Sequence, residues 1–119
     1  MDEKAANPER RRYPRVISAM PVQYRGIRQN SDAIVGTVMR DISLGGIRFT
    51  ANEFISVFTR LVVEVSIPST SKPVRAISKV VWIRKRPYGE QYEVGMQFID
   101  MTEEDKRNIS NFVERSIPK

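Results

Sequence analysis

The chain has 119 residues, 40% of them hydrophobic and 29% charged, with 20 Lys and Arg against 14 Asp and Glu for a net charge of +6. That length holds one domain with a modest core, and the positive excess favours an anionic partner without naming it. With no Cys and no His, thiol catalysis, disulfides, the usual zinc sites and acid–base work by histidine are excluded.

Residues 1 to about 14 are polar, contain Pro8 and Pro14, and show neither a strand nor a helix period. They are expected to form a mobile arm, disordered over 1–9, ahead of a single domain over 10–117. No apolar stretch follows Met1, so a secretory signal is not expected. Nothing approaches the roughly 20 apolar residues of a membrane span, and the expected location is cytoplasmic.

From Val16 onward, β-branched and aromatic runs alternate with turn residues, as in a small antiparallel barrel or sandwich. Six strands are predicted, at 16–25, 34–42, 46–51, 60–68, 73–86 and 90–99. Period-2 alternation places Leu61, Val63, Val65 and Ile67 on one face, as it does Val74, Ala76, Ser78, Val80 and Trp82, and Tyr92, Val94, Met96 and Phe98. These faces are expected to meet in one core, with Trp82 inside it. Pro68 to Pro73 and Pro87 to Glu90 supply turn chemistry for two hairpins. Beyond Asp100 the period becomes helical. Thr102 can cap, Glu103, Glu104 and Asp105 suit the positive end of the helix dipole, and Ile109, Phe112 and Val113 form an apolar stripe. A helix over 102–115, ended by Pro118, is predicted to lie against the barrel.

Two short segments carry candidate chemistry. Arg11-Arg12-Tyr13-Pro14-Arg15, preceded by Arg10, is not expected to be helical, because Pro14 biases Tyr13 toward extended backbone. Guanidinium groups bind phosphate bidentately, recognise the O6 and N7 acceptors of guanine and stack on purines. The alternative for this segment is a solvated basic tail. Asp41-Ile42-Ser43-Leu44-Gly45-Gly46 lies between two predicted strands. Its carboxylate can accept from guanine N1 and N2, its hydroxyl can donate or accept, and its glycines permit close approach. The alternative is a β-turn, with Asp41 and Ser43 bonding their own backbone and a glycine at positive φ. Arg75, Lys79, Arg84, Lys85 and Arg86 form a second basic stretch, expected as a solvated strand edge.

The order and spacing of these segments resemble the PilZ family, marked by Arg-x-x-x-Arg near the start and Asp/Asn-x-Ser-x-x-Gly on the barrel. Here the positions are Arg11 and Arg15, then Asp41, Ser43 and Gly46. Val80-Val81-Trp82-Ile83-Arg84, Tyr92 to Phe98 and the Thr102 helix opening look like the family's later strands and C-terminal helix, so the resemblance covers about 9–115. It implies a mainly β fold, a six-stranded antiparallel barrel with a C-terminal α-helix and a flexible N-terminal arm. It further implies a bacterial receptor for the second messenger cyclic di-GMP, with no other cofactor, no metal and no catalysis. The implied ligand-binding residues are Arg10, Arg11, Arg12, Arg15, Asp41, Ser43, Gly45 and Gly46. Arg11 and Arg15 clamp phosphate and guanine, Asp41 and Ser43 read a guanine edge, and Gly46 shapes the turn. Arg10, just before the motif, suggests an intercalated ligand dimer. Ligand binding is expected to fold the arm over the barrel and signal to an unidentified protein effector. The rivals are a small-barrel nucleic-acid binder, disfavoured by few aromatics among the basic residues, and a ligand-independent PilZ interaction module.

Overall fold

Turn residues set where each strand ends, and alternation sets which face it buries. The structure, a computed structural model, describes residues 15–27 and 34–116. The expected arm over 1–9, together with Arg10, Arg11, Arg12 and residue 117 of the expected domain, lies outside the described residues. Within them the strands are β1 (Val16–Ile17), β2 (Pro21–Gly26), β3 (Val35–Ile42), β4 (Gly46–Ala51), β5 (Arg60–Val65), β6 (Val74–Lys85) and β7 (Tyr92–Asp100), followed by helix α1 (Glu103–Ser116).

Every pairing is antiparallel, and the order β3-β2-β5-β6-β7-β4 closes on itself through β3 and β4. Six strands therefore make a closed barrel, and β1 extends it by pairing Val16 with Ile42 and Ile17 with Asp41. The single run expected over 16–25 is interrupted at 18–20, ahead of Pro21, which has no N–H to donate and so sits at a strand start. Both halves stay on β3, since the Ser18 N–H donates to the Arg40 carbonyl at 3.3 Å and the Met39 N–H to the Met20 carbonyl at 3.0 Å.

The predicted inner faces meet as expected in β5 and β7: Leu61, Val63, Val65 and Ile67 are buried, as are Val94 and Met96, with Tyr92 and Phe98 packed against them. In β6 the expectation holds only as far as Val80. Val80 pairs with Met96 but Trp82 with Gly95, so Val81 is an extra residue in a β-bulge. The bulge reverses the alternation, leaving Trp82 39% exposed on the outer face while Ile83 packs toward the core. Trp82 as a core residue is thus corrected.

Helix α1 begins as its sequence dictates. The Asp105 N–H donates to Thr102 Oγ1 at 3.1 Å, and Glu103, Glu104 and Asp105 occupy the first turn. Ile109 and Val113 are buried in the barrel core, with Phe112 against it. Burying a side chain such as Ile109 stabilises by roughly 2 kcal/mol.

Candidate functional site

The site grows from the β3–β4 hairpin. Ile42 pairs with Ile47 inside the barrel, and Asp41 pairs with Arg48 outside it. Between them the Ser43 N–H donates to the Gly46 carbonyl at 2.8 Å, and the Gly45 N–H to Ser43 Oγ at 3.1 Å. The Gly45 carbonyl in turn accepts from the Phe98 N–H at 3.0 Å, tying the turn to β7. Positive φ is not what the glycines provide: among glycines of the described residues only Gly89 has it. Gly46 is needed for another reason, because a Cβ there would collide with the Met96 carbonyl.

Arg15 stands directly against this turn. Its Nε donates to Asp41 Oδ1 at 3.0 Å and its Nη1 to Ser43 Oγ at 3.2 Å. A charge-assisted pair and a second hydrogen bond thus tie Arg15, just past the expected arm, to the barrel. The other oxygen of Asp41 takes Nη2 of Arg48. The carboxylate, 3% exposed as a residue, is held between two guanidinium groups.

From Arg48 the network crosses β4 to Glu93 on β7. Arg48 Nη1 lies 4.0 Å from Glu93 Oε1, Arg84 Nη2 donates to the same oxygen at 2.7 Å, and Arg40 Nη1 donates to Oε2 at 3.0 Å. Burial pushes the Glu93 carboxyl up, but the hydrogen bond from Arg84 and the charges of Arg48, Arg40 and Arg84 outweigh it and hold the group below the ordinary carboxylate range. Arg84 also lies 5.8 Å from the centre of the Trp82 ring. Four guanidinium groups against two carboxylates leave two positive charges uncompensated on one outer face. Such a face suits a dianion with planar groups to stack.

Of the predicted site residues, Arg15, Asp41, Ser43, Gly45 and Gly46 come together here, while Arg10, Arg11 and Arg12 lie outside the described residues. Sequence reading missed Arg40, Arg48, Arg84 and Glu93. For Arg48 a signal existed: in a hairpin turning over 43–46, Asp41 faces position 48. Arg40 carried none. It is the extra residue of a bulge between Met39 and Asp41, and from there it reaches a carboxylate two strands away. The expected basic stretch divides: Arg84 joins the network, whereas Arg75 pairs with Glu64 and Lys85 with Glu90.

The sequence profile of the PilZ domain matches residues 9–115. Among solved structures, the chain is similar to the Bacillus subtilis inhibitor of motility MotI/DgrA, with a TM-score of 0.73 and 20% identity over 89% of this chain and 50% of that one. It thus spans about half the length of that protein. The PilZ domain of YcgR from Escherichia coli, solved with c-di-GMP, gives a TM-score of 0.67 and 18% identity over 90% of this chain and 91% of that one. The K. pneumonia MrkH–c-di-GMP complex gives 0.64 and 19% over 87% and 51%. No match was found among curated protein sequences.

Proposed function

Because the chain belongs to the PilZ domain family, we propose that it is a receptor for cyclic di-GMP, received on the outer face built by β3, β4, β6 and β7. The observation that carries this reading is the array around Asp41 and Glu93, whose two uncompensated positive charges equal the two phosphodiester charges of the ligand. Trp82, turned outward beside Gly95 and Arg84, offers a stacking surface for guanine. Solved PilZ proteins of similar fold with c-di-GMP support the ligand class.

In this reading Asp41 and Ser43 hold Arg15 as the fixed end of a clamp. A guanine edge reaches Asp41 only by displacing that guanidinium. Arg11 and Arg12 complete the clamp from the chain ahead of Arg15, and Arg10 serves a second, intercalated ligand. Closing this segment over the ligand alters the surface shown to a protein effector. No chemistry on the ligand is proposed.

Calorimetric titration of cyclic di-GMP into wild type and Arg15→Ala, at two salt concentrations, tests the proposal. Wild type is expected to bind saturably, and Arg15→Ala to lose about 2 kcal/mol, roughly thirtyfold, since a charge-assisted contact is removed. Wild type without saturable binding would sink it. One observation favours a second reading as a binder of single-stranded nucleic acid: the exposed Trp82 stands beside Arg84, with Lys85 and Arg86 following. That reading predicts steep loss of binding with salt and no preference for cyclic di-GMP over an oligonucleotide.

A further inference from the structure

Glu93 belongs to neither sequence motif, yet it sits at the centre of the charged face. Its side chain is 11% exposed, and it meets Arg40, Arg48 and Arg84, which come from three different strands. A carboxylate buried for folding alone needs one good cationic partner, and even then the desolvation cost largely cancels the gain. Three partners mean that the carboxylate organises the arginines more than they neutralise it.

The use made of each guanidinium supports this. Arg48 bridges Asp41 and Glu93 through its two Nη groups, and its buried Nε finds no partner among the described residues. Arg48 is a crosspiece between the two carboxylates, its side chain 30% exposed. Arg40 and Arg84 each donate one Nη group to Glu93 and remain substantially open to solvent, Arg84 at 69%. A guanidinium has five N–H donors in a fixed plane, so each keeps donors free and pointing away from the carboxylate. Pinning one corner of each fork removes rotational freedom that a long exposed side chain otherwise loses only on binding.

We infer that Glu93 is a positioning residue, which orients Arg40 and Arg84 as a preformed pair of donors for the phosphodiester and guanine acceptor groups of the ligand. This rests on the reading of the face as a cyclic di-GMP site. Net charge and orientation predict effects of opposite sign. Removing a negative charge beside an anion site tightens binding if only net charge matters. It weakens binding if the carboxylate is what aims the arginines.

The test compares wild type, Glu93→Gln and Glu93→Asp for binding of cyclic di-GMP and of a single-stranded oligodeoxynucleotide, and follows arginine side-chain nitrogen NMR in the free protein. Glu93→Gln is expected to weaken cyclic di-GMP binding by about tenfold or more, to keep or strengthen oligonucleotide binding, and to be partly rescued by Glu93→Asp. A folded Glu93→Gln protein that binds cyclic di-GMP as tightly as wild type, or more tightly, overturns the inference. If wild type itself does not bind, the receptor reading falls, and the positioning role is decided by the free protein. There, hindered rotation of the Arg40 and Arg84 guanidinium groups supports it and free rotation overturns it. The same measurement on wild type decides the matter if Glu93→Gln does not fold.

Discussion

Gly46 and Gly95 both leave no room for a methyl group, but for different reasons, and the difference separates stability from binding. At Gly46 the obstacle is the backbone carbonyl of Met96 across the β4–β7 ladder. A carbonyl fixed in a ladder cannot step aside, so Gly46→Ala is expected to destabilise by about 2–4 kcal/mol in chemical unfolding. At Gly95 the obstacle is the indole of Trp82, a partly exposed side chain that can swing away. Gly95→Ala is therefore expected to cost about 1 kcal/mol or less of stability while moving Trp82 off the face. The shift should appear as a change in tryptophan emission. A Gly46→Ala protein as stable as wild type would show that the two strands do not approach this closely.

At the scale of elements, the bulge in β6 and the loop before β5 show how tertiary demands override local pattern. Counting by twos along 73–86 is sound until the barrel bends, and one inserted residue then exchanges the faces of everything beyond it. Near the end of that loop stands Phe58, whose φ of 76° lies in the left-handed region and which is 70% exposed. Two backbone bonds impose this conformation: the Phe58 N–H donates to the Val80 carbonyl at 2.7 Å, and the Val80 N–H donates to the Thr59 carbonyl at 2.9 Å. A β-branched residue tolerates that backbone least. Phe58→Val is expected to lower stability by about 1–2 kcal/mol. Phe58→Gly should stay near wild type, because relieved strain offsets the flexibility that glycine adds to the unfolded chain. Equal stabilities for the two variants would refute the assignment of strain.

For the whole molecule, Glu93 links the charged face to acid stability. Its folded-state pKa lies below the ordinary value of 4.5, so the unfolded chain takes up this proton before the folded protein does. The contribution is complete above pH 4.5 and drains away as pH falls through the folded value. Thermal melts from neutral pH down to about pH 3 should show a steeper acid loss in wild type than in Glu93→Gln, whose side chain does not titrate. Parallel curves would mean that the network contributes nothing pH-dependent. Tyr24 acts at the opposite end of the scale: burial, then its 2.9 Å hydrogen bond to Glu53 and that residue's charge, raise its phenol well above the usual value.

The strand pattern of β3 to β7, the capped terminal helix and the turn at Asp41 to Gly46 were legible in the sequence, because alternation, turn chemistry and capping act between residues close along the chain. That the Arg-x-x-x-Arg and Asp-x-Ser-x-x-Gly segments belong together was read from the resemblance to the PilZ family, not from local chemistry, and among the described residues Arg15 meets Asp41 and Ser43. Barrel closure, the outward turn of Trp82, the anchoring of Arg15 and the gathering of Arg40, Arg48 and Arg84 on Glu93 were decided only by tertiary structure. Each depends on which strands become neighbours and on where a bulge shifts their register, and neither is written in the spacing of any one segment.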